Sequence, residues 1–128
     1  MSDLNITTRQ NDGVTVLDLA GKIALGDTSS SLHQALRTLV QEGKTQVLIN
    51  LQNVSSIDSS GLGSLIAGYA TLEKNDGSMK LVNLSPRVTE LMTITKLFTV
   101  FEVFEDEGAA VASFVKTGGA ADTASSIA

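Results

Sequence analysis

Val47-Leu48-Ile49-Asn50-Leu51-Gln52-Asn53-Val54-Ser55-Ser56-Ile57-Asp58-Ser59-Ser60-Gly61-Leu62-Gly63 is the stretch whose reading decides the fold. Residues 47–51 form a short apolar run of the length and β-branched content of a buried strand. A turn-rich piece, residues 53–60, follows. From Gly61 onward Leu62, Leu65, Ile66, Tyr69 and Leu72 share one helical stripe that stops at Asn75-Asp76-Gly77. Upstream, the capping cluster Asp27-Thr28-Ser29-Ser30 precedes Leu32, Ala35, Leu36, Leu39 and Val40 at helical spacing, which predicts a first helix ending near Gly43. A short strand directly after a helix points to a parallel crossover unit.

Working outward, residues 4–9 and 14–20 are β-branched stretches around Asn11-Asp12-Gly13, a strong hairpin signal. The second is apolar at nearly every position, as an inner strand covered on both faces would be. Towards the C-terminus, residues 79–84 read as another strand, and Ser85-Pro86 as an N-cap with proline at the first helical position. Val88, Leu91, Met92 and Leu97 then make a third helix. Residues 98–104 read as a last strand with Glu102 outward, and residues 107–116 as a final helix burying Ala110, Val111, Phe114 and Val115. The expected order is ββαβαβαβα, a sheet of about five strands carrying four helices, of α/β or α+β class. Residues 1–116 make a single domain, and the small residues of 117–128 make a loose tail.

The composition, 42% hydrophobic and 18% charged over 128 residues, is that of an ordinary globular chain. No apolar run approaches the roughly 18 residues that cross a bilayer, and the start Met1-Ser2-Asp3-Leu4-Asn5 lacks the basic and apolar blocks of a secretion signal, so a cytoplasmic protein is expected. The absence of cysteine removes disulfides, thiolate metal sites and thiol nucleophiles together. A net charge of −5, with four Phe, one Tyr and no Trp, argues against a nucleic-acid binder, which needs a basic face and stacking platforms.

The chemistry concentrates at Asp58-Ser59-Ser60-Gly61-Leu62, where a strand leads through a polar turn into a helix. Backbone N–H groups at a helix start lack helical partners and the local dipole is positive, so a phosphate on Ser59 or Ser60 is favoured there by roughly 0.3 to 1 kcal/mol. Glycines at 61 and 63 keep the first turn free of bulk for an approaching enzyme. Plain capping fits the same residues, since Asp and Ser are the commonest N-caps. Local physics leaves both readings open.

Asp58-Ser59-Ser60-Gly61-Leu62-Gly63 after the strand 47–51 resembles the phosphorylation loop of the STAS domain family, and more narrowly that of its anti-sigma factor antagonists. The similarity spans about residues 4–116 and includes the early Leu19-Ala20-Gly21 turn and the Leu81-Val82-Asn83-Leu84-Ser85-Pro86 step from strand to helix. It implies an α/β fold of STAS type, and a binding protein without catalysis of its own. In such proteins a serine of this motif is phosphorylated by a partner that is both a serine protein kinase and an anti-sigma factor, and a serine phosphatase reverses it. By motif position the resemblance makes Ser60 the acceptor, Ser59 its alternative, and Asp58 the acid that shapes the loop. Asp58, Ser59, Ser60, Gly61 and Leu62 become the expected partner-binding segment. Many members carry an acid shortly after the glycine matching Gly21; here Ile23-Ala24-Leu25-Gly26 intervenes and Asp27 takes that place in the expected contact. An alternative role is that of a non-catalytic scaffold or sensor subunit in a signalling assembly.

Enzyme readings are weaker. The single histidine, His33, lies on the first helix between Leu32 and Ala35, and Ser60 lacks a Gly-x-Ser-x-Gly elbow because position 58 is Asp. Gly61-Leu62-Gly63 is no dinucleotide fingerprint, since position 66 is Ile. No cofactor and no metal are expected: the acidic run Glu102, Glu105, Asp106 and Glu107 sits at a strand-to-helix junction, where acids usually serve as solvated caps. Met92, Ile94, Leu97 and Phe98 are a secondary candidate for a partner surface, against the commoner reading of such spacing as core.

Overall fold

The hairpin sets the first edge of the sheet. Asp12 and Gly13 both take positive φ, 53° and 83°, the combination a two-residue turn needs to match the twist of its strands. They join β1 (Leu4–Asn11) to β2 (Val14–Ile23) in antiparallel register. In this computed structural model the description covers residues 4–23 and 27–120, for backbone alone at 27–29, 98 and 115–120.

The remaining elements are α1 (Asp27–Gln41), β3 (Gln46–Ile57), α2 (Ser59–Lys74), β4 (Ser78–Val82), α3 (Pro86–Thr95), a single 3-10 turn at Leu97–Thr99, β5 (Val103–Phe104) and α4 (Glu107–Ala120). The sheet order is β1-β2-β3-β4-β5, with every pair after the first parallel. The order of elements and the α/β class are those expected, and β2 is an inner strand as its apolar run required. The helix read over residues 107–116 runs on to Ala120, and residues 121–128 of the expected tail lie outside the described residues.

Other boundaries differ too: β2 runs on to Ile23 past the expected residue 20, β4 stops at Val82 short of the expected residue 84, and three larger differences follow. The piece expected as a turn from residue 53 continues as strand to Ile57, because Val54 and Ile57 still point into the core while Gln52, Asn53 and Ser55 face out. Two register shifts against β2, between Asp18 and Ala20 and between Gly21 and Lys22, absorb the uneven spacing that made the segment look like a loop. The third helix stops at Thr95, where Lys96 turns left-handed at φ 61°, so Leu97 belongs to the 3-10 turn. The last strand shrinks to Val103–Phe104; Phe101 is buried all the same, its ring edge-on to Tyr69 at 5.4 Å between centroids.

The sheet separates two cores. The larger lies under α1, α2 and α3 and includes Leu17, Leu19, Leu32, Leu36, Ile49, Leu51, Leu65, Leu72, Val88 and Met92. The smaller lies under α4, where Ala110, Val111 and Phe114 cover Val14, Val16, Leu48 and Val82. Lys80 is buried on this second face: its ammonium bonds Glu102 and Ser113 Oγ, both at 2.8 Å, and lies 4.9 Å from the centre of the Phe114 ring. A buried charge kept in this way ties β4, the segment before β5 and α4 together.

Candidate functional site

The C-terminal ends of β3 and β4 lead directly into α2 and α3, so two helix N-termini share one edge of the sheet. At the first, Asp58 is the N-cap: its extended backbone ends β3, its carboxylate Oδ1 accepts the Gly61 N–H at 2.9 Å, and its carbonyl accepts the Leu62 N–H at 3.0 Å. The Asp58 N–H in turn donates to the Ile23 carbonyl at 3.2 Å, fixing the turn to the end of β2. Capping is therefore discharged by Asp58. Ser59 and Ser60 fall at the first two helical positions, and their hydroxyls have no hydrogen-bond partner among the described residues. Ser59 is exposed and Ser60 half-buried.

Gly61 and Gly63 play opposite parts. A Cβ at Gly61 would stand 2.5 Å from the Ile23 carbonyl oxygen and 2.8 Å from side-chain atoms of Ile23 and Ile57, so its smallness lets α2 seat against β2 and β3. A Cβ at Gly63 would meet nothing within 4 Å, and that position is exposed. Openness to an approaching molecule, expected of both, holds at Gly63 alone. Leu62 is buried at 4% exposure, so it anchors the turn rather than presenting a side chain. Ser64, one turn on, is also buried and donates to the Ser60 carbonyl at 3.2 Å.

The turn thus combines free hydroxyls, unpaired N–H groups and the positive end of a 16-residue helix. An anionic group on either serine hydroxyl would displace no hydrogen bond of that hydroxyl among the described residues. The side chain of Asp27 lies outside the described residues. His33 is exposed on α1. The acidic run is divided among structural duties: Glu102 pairs with Lys80, Asp106 accepts the Ala109 N–H at 2.9 Å, and Glu107 pairs with Arg9. Among the described residues no three histidines or acids converge. Of the secondary partner candidates Met92 is buried, Leu97 is half-buried, Ile94 is 69% exposed, and the Phe98 side chain lies outside the described residues.

The second helix start is built by one hydroxyl. Ser85 Oγ donates to the Val54 carbonyl at 2.8 Å while accepting the Val88 N–H at 3.4 Å, which pins α3 beside the last residues of β3. Ile57, Arg87, Glu90, Leu91 and Ile94 consequently line one cleft of about 240 Å³ next to the serine turn. The sequence alone does not show this meeting of Ile57 with Arg87, since its apolar run ends at Leu51 and nothing local joins positions thirty apart.

The strongest charge cluster sits elsewhere, on the α4 face. Arg9 donates to Asp18 at 2.6 and 3.1 Å and to Glu107 at 2.6 and 2.8 Å. Asn50 and Asn11 add bonds of 2.8 Å to Asp18 and Glu107 respectively. The guanidinium holds both carboxyls below their ordinary range, with burial opposing and the amides adding to the effect. Every member of the cluster is satisfied within it, which marks it as a clamp between β1, β2 and α4.

An anti-sigma-B factor antagonist of Bacillus subtilis (strain 168) is 32% identical over 101 residues, covering 79% of this chain and 91% of the relative. The crystal structure of an anti-sigma factor antagonist from Mycobacterium paratuberculosis superposes with a TM-score of 0.74 at 24% identity, covering 87% of this chain and 93% of that one. SpoIIAA, an anti-sigma factor antagonist, matches in its unphosphorylated form with a TM-score of 0.65 at 23% identity, covering 85% of this chain and 96% of that one. The Bacillus SpoIIAA in its phosphorylated form matches with 0.66 at 21% identity, covering 85% and 98%. The STAS domain model itself matches residues 5–110, and on that match, together with the antagonist relative, the chain belongs to the STAS domain family.

Proposed function

We propose that this protein is an anti-sigma factor antagonist that works by partner switching in the cytoplasm. Unmodified, it binds an anti-sigma factor that is also a serine protein kinase and so frees a sigma factor. Phosphorylated at Ser60 it releases that partner, and a serine phosphatase restores it. The protein supplies a binding surface and a phosphate acceptor, and the kinase supplies the chemistry.

The observation that carries this reading is the division of labour at the head of α2. Asp58 caps the helix, so the hydroxyls of Ser59 and Ser60 stand without a structural task among the described residues, beside N–H groups that favour an anion. A phosphate adds about −1.5 to −2 charges at an end that tolerates them, which leaves the fold in place. The similar superposition on the phosphorylated and unphosphorylated forms of SpoIIAA supports that point. A docked partner, by contrast, would have to desolvate a dianion next to the Asp58 carboxylate, at a cost of several kcal/mol unless basic groups meet it.

Ser59 is the second reading for the acceptor, favoured by its greater exposure. Incubation with labelled ATP separates the possibilities. No label is expected with ATP alone; label is expected after addition of the host's anti-sigma kinase, at Ser60 by fragment mass mapping, and a Ser60→Ala variant should lose it. Labelling without kinase, or none with any host kinase, contradicts the proposal and leaves the scaffold role. Label that persists in Ser60→Ala and vanishes in Ser59→Ala moves the acceptor by one residue.

A further inference from the structure

The serine turn is too small to hold a partner by itself. A stable interface takes about 800 Å² from each side, far more than one turn of Ser59, Ser60 and Gly63 can offer, so contact must spread onto neighbouring surface. The fold offers one clear direction. On one flank α2 packs against α1, with Gly68 so close to Leu36 that no Cβ fits between them, and the opposite face of the sheet belongs to α4. The other flank carries the cleft between the end of β3 and α3.

That cleft has the composition of a docking pocket. Ile94, at 69% exposure, is the most exposed large hydrophobic residue among those described; Leu91 is half-buried beside it, and Ile57 closes the floor. Ile57 directly precedes Asp58 and packs on Gly61, so the cleft adjoins the serine turn. On the rim Arg87 and Glu90 lie one turn apart; Arg87 occupies the first turn of α3, where the helix dipole disfavours a cation, and neither Glu90 nor any other carboxylate among the described residues pairs with it. An external carboxylate would relieve that placement, and arginine beside a desolvated apolar anchor is a recurrent source of binding energy.

We propose that the partner which binds the serine turn also inserts an aliphatic side chain into the cleft formed by Ile57, Leu91 and Ile94 and sets a carboxylate against Arg87. The proposal rests on the anti-sigma factor antagonist reading, and it names the chemistry of the partner's contact segment: an aliphatic residue next to an acidic one. Phosphorylation and cleft then act on one bound state. The cleft supplies affinity, and the phosphate beside its edge removes it.

The test uses the full chain, unphosphorylated, titrated with each of the host's purified anti-sigma factors. Ile94→Lys and Arg87→Glu are each expected to weaken binding at least tenfold, while Ala112→Lys on the exposed side of α4 stays within twofold of wild type; circular dichroism checks that all three fold. A photo-cross-linking benzoylphenylalanine at position 94 should attach to the bound factor, and one at position 112 should not. Wild-type affinity in both cleft variants, or weakened binding with no cross-link from position 94, overturns the cleft and leaves the antagonist reading intact. Failure of the wild-type chain to bind any anti-sigma factor overturns both.

Discussion

At the scale of single residues, Gly61 and Gly63, separated by one residue, have different physical reasons to exist. Gly61→Ala forces a methyl against the Ile23 carbonyl, a backbone atom that cannot swing aside, and should lower stability by about 1 to 3 kcal/mol. Gly63→Ala meets open space and removes the entropic penalty of a helical glycine, so it should raise stability by up to about 1 kcal/mol. Urea unfolding of the two variants reads the opposite signs directly. Asp58→Ala should cost roughly 1 kcal/mol through loss of the cap, and Asp58→Asn much less, because an amide oxygen can still accept the Gly61 N–H. The sequence identified Asp58, Ser59 and Ser60 as the informative residues, yet it could not separate capping from modification. Which oxygen caps the helix rests on the distance from Asp58 Oδ1 to the Gly61 N–H, which no spacing rule encodes.

At the scale of elements, the clamp that joins β1 and β2 to the head of α4 gives the fold an acid-sensitive edge. Asp18 and Glu107 are held below their ordinary values of 3.8 and 4.5 by Arg9. A depressed carboxylate contributes stability that is complete above its unfolded value and is lost as pH falls through its folded one. The clamp therefore contributes fully above about pH 5 and fades below about pH 4. Replacing Arg9 by Met should flatten that acid limb in thermal melts, while at pH 7 the cost stays at about 1 kcal/mol because both ion pairs are partly exposed and screened. An unchanged acid limb in Arg9→Met would show that other carboxyls govern acid unfolding. Elements with a strong local signature, the Asp12-Gly13 hairpin and the Ser85-Pro86 helix start, lie where the sequence placed them. The far half of β3 was illegible because its polar residues alternate with Val54 and Ile57 across register shifts that only pairing with β2 creates. The 3-10 turn after Lys96 was hidden for a similar reason: tertiary burial of Phe101 sets it, and residues 98–104 carry enough β-branched and aromatic content to pass for a strand.

At the scale of the whole molecule, the sheet carries three helices on one face and one on the other, and the starts of α2 and α3 lie together at the C-terminal ends of β3 and β4, where the proposed partner would dock. The proposed switch requires no movement within that arrangement. Phosphorylation at the head of α2 should change the unfolding free energy by no more than about 1 kcal/mol, and in the stabilising direction, since an anion at a helix N-terminus is favoured; a melt of the phosphorylated and unmodified forms checks this. The switch then lies in what the surface admits. Its central claim is tested most directly by isothermal titration of one anti-sigma factor with two preparations of the chain, unmodified and quantitatively phosphorylated at Ser60. Tight binding by the unmodified chain and weakening by about two orders of magnitude or more, equivalent to ~3 kcal/mol, is the predicted result. Equal affinity of the two preparations would contradict it.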